Sequence, residues 1–93
     1  MKVRLSTRAQ SQLAGMRDYL KARGAASTAA RYSVAIRAAL ELLSYFPRFG
    51  HPGTAKGTYE WLVRGTPYIV VFELSGHDEL MVLGVLHGAQ ERK

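Results

Sequence analysis

The chain has 93 residues, 47% of them hydrophobic and 22% charged, with no cysteine. That length predicts one domain over residues 1–93, and the composition excludes wholesale disorder, a disulfide scaffold, a thiol nucleophile and any Cys-ligated metal centre. The formal net charge of +6 makes an acidic partner the first expectation: nucleic acid, an anionic membrane or an acidic protein.

Met1–Ser6 carries charge without an apolar run behind it, so no secretory signal is expected. Lys2–Leu5 alternates polar and apolar residues and reads as a short strand. Thr7 and Gln10 have capping-box spacing, and Ala9, Leu13, Met16 and Leu20 then recur on one helical face. Gly24 suits the left-handed residue that ends such a helix, which the pattern places over residues 8–23. Ser27 or Thr28 offers the next N-cap. Tyr32, Ile36, Leu40 and Leu43 repeat at helical spacing until Pro47 forces Phe46 out of helical geometry. The short link predicts an antiparallel helical hairpin. Residues 47–57 are too rich in Gly and Pro for regular structure.

The remainder reads as strands. Trp61 and Val63 alternate within residues 59–64, and Gly65-Thr66-Pro67 turns the chain. In residues 68–74, Tyr68, Val70, Phe72 and Leu74 share one face and Ile69, Val71 and Glu73 the other. Ser75-Gly76-His77-Asp78 signals a hairpin into Leu80–Leu86. Both faces of these last two strands are apolar, which predicts central strands buried on both sides. The result is an α+β domain, β-α-α-β-β-β, with a helical hairpin on a mainly antiparallel sheet of three to four strands. The apolar stretches fall far short of the roughly 20 residues of a membrane helix, so no membrane contact and a cytoplasmic location are expected.

The charge is unevenly placed. Residues 1–56 hold ten Lys/Arg and two acids, net +8, whereas residues 57–93 hold three and five, net −2. The positive charge therefore belongs to the helical half.

The helix end Leu43-Ser44-Tyr45-Phe46-Pro47-Arg48-Phe49-Gly50, the strand pair running from Trp61 to Phe72, and the ending Val85-Leu86-His87-Gly88-Ala89-Gln90 resemble the RelE/ParE superfamily of type II toxins. The Pro-Tyr strand opening and the Leu-His-Gly-Ala ending look like its ParE branch. The resemblance covers essentially the whole chain. It implies a toxin that inhibits DNA gyrase by binding, neutralised by a ParD-like antitoxin in a heterotetramer or larger complex. It also implies that operator binding belongs to the antitoxin, with no sequence-specific DNA contact by this chain. Two alternatives accompany it: a ribosome-dependent mRNA endonuclease of RelE type, and a degenerate member that binds antitoxin without toxicity. Gln90 and Tyr59 stand where many ParE-like sequences have Arg, and so remove positive charge.

Metal-free RNA cleavage needs a base, cations on the phosphate and an acid for the leaving oxygen. The sheet half offers Arg64, His87, Arg92 and Lys93, and no Tyr follows Tyr68. That set is thin for phosphoryl transfer, so no catalytic residue is assigned and a binding protein is expected. His51, His77 and His87 lack metal-ligand spacing, and no phosphate loop or nucleophile elbow is present; no metal or cofactor is expected.

Arg64, His87, Gln90, Arg92 and Lys93 are the candidate target contacts. For His87 the competing reading is a structural histidine at a strand end; for Arg64 it is a surface ion pair with Glu60 or Glu73. Leu13, Met16, Leu20, Ile36 and Leu40, with the cations Arg17, Lys21, Arg31 and Arg37, are the candidate antitoxin contacts. They would form an apolar groove and a basic face for an acidic segment that folds on binding. The competing reading there is core packing and a solvated face.

Overall fold

The computed structural model describes residues 1–88. Strand β1 (Lys2–Leu5) leads into α1 (Thr7–Ala22) and α2 (Ala26–Tyr45). A 3-10 turn at Pro47–Phe49 follows, and then β2 (His51–Pro52), β3 (Thr58–Leu62), β4 (Tyr68–Ser75) and β5 (Glu79–His87). These strands form one sheet in the order β1-β5-β4-β3-β2. Every neighbouring pair is antiparallel except β1 and β5, which run parallel.

The α+β architecture read from the sequence is the one observed. The sheet has five strands rather than three or four, because the Gly- and Pro-rich segment contributes a two-residue edge strand paired with Tyr59 and Glu60. Pro is tolerated there because an edge strand leaves one row of backbone groups unpaired.

Both helix starts differ from expectation. Ser6, not Thr7, caps α1: its Oγ accepts the Ala9 N–H at 3.0 Å. Gln10 donates its side-chain amide to the Leu5 carbonyl instead of closing a capping box. At the other end Gly24, at φ +76°, donates its N–H to Lys21 O, and Ala25 donates to Leu20 O. This is the Schellman arrangement that satisfies orphan carbonyls at a helix end. Ala25 also serves as the N-cap of α2, so the link is too short for a Ser27 or Thr28 cap, and both lie inside the first turn. Phe46, at φ −133°, ends α2 ahead of Pro47.

The strand registers sort the side chains into two faces. Toward the helices lie the cross-strand rows Trp61–Val70–Val85, Tyr59–Phe72–Val82–Leu5 and Leu74–Leu80–Val3. These pack under Ala9, Met16, Ile36, Ala39, Leu40 and Leu43 to make the core. Phe72, Leu43, Leu80, Val70 and Val82 are fully buried, each stabilising the fold by about 1.5–3 kcal/mol. Gly50 lies so close to this layer that a Cβ there would sit 2.7 Å from the Phe72 ring.

The opposite face is open. It carries the rows Leu62–Ile69–Leu86, Glu60–Val71–Gly84 and Thr58–Glu73–Met81–Arg4. β4 and β5 are central, as their composition predicts, but Ile69, Val71, Met81 and Leu86 are half-buried rather than covered, because both helices pack on the other side.

β5 contains one extra residue, Leu83, which shifts its register with β4. The bulge falls where β1 stops, and α1 takes over the exposed strand edge. Ser6 Oγ donates to the Leu83 carbonyl at 3.0 Å, and Gln12 Oε1 accepts the Val85 N–H at 2.7 Å. Two side chains thus continue the pairing that β1 begins.

Candidate binding surfaces

The nine candidate antitoxin contacts do not form one surface. Leu13, Ile36 and Leu40 floor a groove of about 210 Å³ where α1 and α2 meet, with Leu5 and Ser33 beside them. Arg17 and Arg37, both exposed, stand on its two walls, one from each helix. Helical spacing explains the pairing: Leu13 and Arg17 are four apart on α1, and Ser33, Arg37 and Leu40 are four and three apart on α2.

The other four lie elsewhere. Met16 faces the sheet and lines a separate cavity with Gln12, Tyr19, Tyr68, Val85, Leu86 and His87. Leu20 packs half-buried against the core. Lys21 occupies the last turn of α1, where a cation complements the helix dipole. Arg31 sits over the Tyr32 ring at 5.6 Å.

Arg64 and His87 reach the same end of the sheet but enter different pockets. Arg64 lines a cavity of about 240 Å³ with Ala35, Ala38, Leu42, Trp61 and Val63. The described residues contain one ion pair, Arg4 with Glu79 at 3.4 Å. His87 stands edge-on to Tyr68 at 5.4 Å between ring centres, and Tyr68 is edge-on to Tyr32 at 5.7 Å. Burial, with Tyr32 and then Tyr19 nearby, pushes the Tyr68 hydroxyl above its ordinary value of 10.0. Gln90, Arg92 and Lys93 lie outside the described residues. Tyr59 stacks on Phe72 at 5.7 Å and packs, partly buried, against the core.

A further surface lies outside the residues expected from the sequence. Phe46 stacks on Phe49 at 5.2 Å, Phe49 on Trp61 at 6.1 Å, and His51 on Trp61 at 6.5 Å. This aromatic ladder extends the Trp61 cavity past the end of α2. Its signal in the sequence is a second apolar stripe on α2, Val34, Ala38, Leu42 and Tyr45, beside the one that faces the sheet.

Among the described residues no group of three or more His, Asp or Glu is placed to hold a metal ion. No described helix is long and apolar enough to cross a membrane.

Comparison with known proteins gives these surfaces a context. A family model described as the ParE toxin of type II toxin-antitoxin system, parDE, matches residues 3–92. A curated protein of Sinorhizobium fredii (strain NBRC 101917 / NGR234), named "Putative toxin Y4kP", is 35% identical over 63 residues, which are 68% of this chain and 64% of that protein. The chain thus spans under two thirds of that relative's length. A solved structure described as "Chromosomal ParDE TA system from P. aeruginosa" has the same fold, with a TM-score of 0.83 over 94% of this chain and 95% of that one, at 17% identity.

Proposed function

The chain belongs to the ParE toxin family of type II toxin–antitoxin systems, and we propose that it acts in the cytoplasm by binding DNA gyrase and is held inactive by a ParD-like antitoxin. The observation that carries binding over hydrolysis is the open sheet face. An RNA-cleaving site there would gather several cations around a Tyr or His, to hold the phosphate and to move protons at the 2′-oxygen and the leaving 5′-oxygen. The described residues instead set out Leu62, Ile69, Val71, Met81 and Leu86, with Glu60 and Glu73 between them. Lys2 and Arg4 stand at the β1 edge, where Arg4 pairs with Glu79, and His51 stands at the opposite, β2 edge. Cations and histidine are thus separated rather than gathered, the intervening carboxylates repel a phosphate, and leucines and valines transfer no proton. Apolar rows with isolated charges suit a protein surface.

For neutralisation, the groove between α1 and α2 supplies an apolar floor with one guanidinium on each wall. An acidic antitoxin segment, ordering as it binds, would place apolar side chains on Leu13, Ile36 and Leu40 and carboxylates against Arg17 and Arg37. Two toxins on one antitoxin dimer is the assembly this reading expects. Target contact would come from the far end of the sheet, through Arg64, His87 and the residues that follow.

A supercoiling assay with purified toxin and gyrase tests the reading. Loss of supercoiling with accumulation of cleaved DNA complexes, relieved by antitoxin, is expected. Unchanged supercoiling at a large excess of toxin would refute it.

A further inference from the structure

A group of exposed apolar side chains lies on the other side of α2 from the hairpin groove. Tyr45 is 70% exposed, Val34 62%, Phe46 52% and Phe49 49%. With Leu42, Ala38, Ala35 and Trp61 they form one continuous surface, because the Trp61 cavity touches Ala35, Ala38 and Leu42 while Phe49 stacks on Trp61 and Phe46. Four large apolar side chains exposed together on one side of a 93-residue chain mark an interaction surface, not scattered surface hydrophobes.

Its shape and charge define the occupant. Arg31, Ala35, Ala38, Leu42 and Tyr45 follow one another at helical spacing, so the strip runs along α2 for ~21 Å at 1.5 Å per residue. Ala35 and Ala38 keep its middle low, between the walls formed by Trp61 and Leu42, and a helix laid there approaches α2 closely. Two guanidinium groups frame the strip: Arg31 at its start, one helical turn before Ala35, and Arg64 on the β3 side, lining the Trp61 cavity. Within α2 the one acidic residue is Glu41. A second copy of this chain would bring guanidinium against guanidinium, whereas an acidic partner neutralises both.

We propose that this α2–β3 strip is a second docking station for the antitoxin, taking an acidic amphipathic helix of about 14 residues at 1.5 Å rise per residue whose apolar face fills the Ala35–Ala38–Trp61 hollow. The inference rests on the antitoxin reading above. It adds that the antitoxin crosses α2: the exposed outer residues Val34, Arg37 and Glu41 join the strip to the hairpin groove, so one segment occupies both sides of the helix. Trp, Tyr and Arg are the residue types that dominate binding energy at such interfaces, when a large side chain seats in a desolvated hollow.

The test uses the full-length cognate antitoxin and the toxin variant Ala38→Glu/Tyr45→Glu, both positions being exposed on α2. Circular dichroism should show an unchanged fold. Affinity for antitoxin should fall at least tenfold, while growth arrest by the variant expressed alone persists. A benzoylphenylalanine placed at position 45 should cross-link to an Asp/Glu-rich amphipathic segment of the antitoxin. Affinity within twofold of the unmodified chain would overturn the inference, and loss of growth arrest with affinity retained would also overturn it by assigning the strip to the target. Failure of the unmodified chain to bind this antitoxin would instead remove the antitoxin reading itself, and the inference with it.

Discussion

The fold assigns Ser6 two separate hydrogen-bonding tasks. Its Oγ accepts from Ala9 N–H at the start of α1 and donates to the Leu83 carbonyl at the β5 bulge, each at 3.0 Å. Ser6→Ala removes an N-cap, a loss of about 1 kcal/mol. It also leaves the Leu83 carbonyl unpaired in a half-buried position, which costs about 1 kcal/mol more. The sum, about 2 kcal/mol, lowers Tm by on the order of 10 °C for a domain of this size. Urea unfolding followed by far-UV circular dichroism measures it, with an unchanged m-value as the sign that only stability has moved. Ser6→Thr keeps both hydrogen bonds and should stay within about 0.5 kcal/mol of the unmodified chain. Ser6→Asp keeps the acceptor for Ala9 but has no proton for Leu83, so it should fall between the two. A Ser6→Ala variant within about 0.5 kcal/mol of the unmodified chain would refute the dual role. An Asp variant as stable as Thr would show that the Leu83 bond contributes nothing.

Gly50→Ala places a methyl 2.7 Å from the Phe72 ring, which is fully buried and has nowhere to retreat, so thermal melts should show a loss of about 1–3 kcal/mol. Gly15→Ala meets no heavy atom within 4 Å and should stabilise the middle of α1 by about 1 kcal/mol in the same melts. The raised Tyr68 hydroxyl makes stability depend on alkaline pH. Above the ordinary value of 10.0 the unfolded chain releases this proton while the folded chain retains it, so stability is full below that value and falls as pH rises through the raised pKa. Tyr68→Phe should therefore lose less Tm than the unmodified chain between pH 9 and pH 11; equal losses would assign the fall to other groups. Arg17→Glu/Arg37→Glu should weaken antitoxin binding about 10- to 100-fold, mainly through slower association, with the difference shrinking in high salt; titration calorimetry at two ionic strengths checks it.

Most of the architecture is legible because the periodicities are strong. The Ala9–Leu13–Met16–Leu20 stripe, the alternation in β4 and the stop at Phe46-Pro47 each follow from one local rule. The cap of α1 lies one residue from the expected position because Ser6 and Thr7 are chemically equivalent, and the Leu83 carbonyl distinguishes them. β2 carries no sequence signal, since two residues have no period and the strand exists only through its pairing with β3. The candidate sites were legible in part. Leu13, Arg17, Ile36, Arg37 and Leu40 converge on one groove, whereas Met16 and Arg31 diverge because a helix of 3.6 residues per turn sends them to other faces. The aromatic ladder could not be read, because Phe46, Phe49 and Trp61 meet only when the 3-10 turn folds back on β3. A pattern of apolar residues does not say which of them lack cover.

The parallel contact between β1 and β5 also bears on how the chain comes into being. Lys2 pairs with Glu79 and Leu5 with Val82, so the first strand has no neighbour until almost the whole sequence has been synthesised. During translation the α1–α2 hairpin can form from local contacts, but β1 must wait, and contacts of such sequence separation form slowly. The groove between Arg17 and Arg37 needs little more than that hairpin, whereas the sheet end that carries Arg64 and His87 needs the last strand. On the reading given above, the surface that accepts the antitoxin matures before the surface that meets the target. Neutralisation could then begin on a nascent chain that is not yet able to do harm.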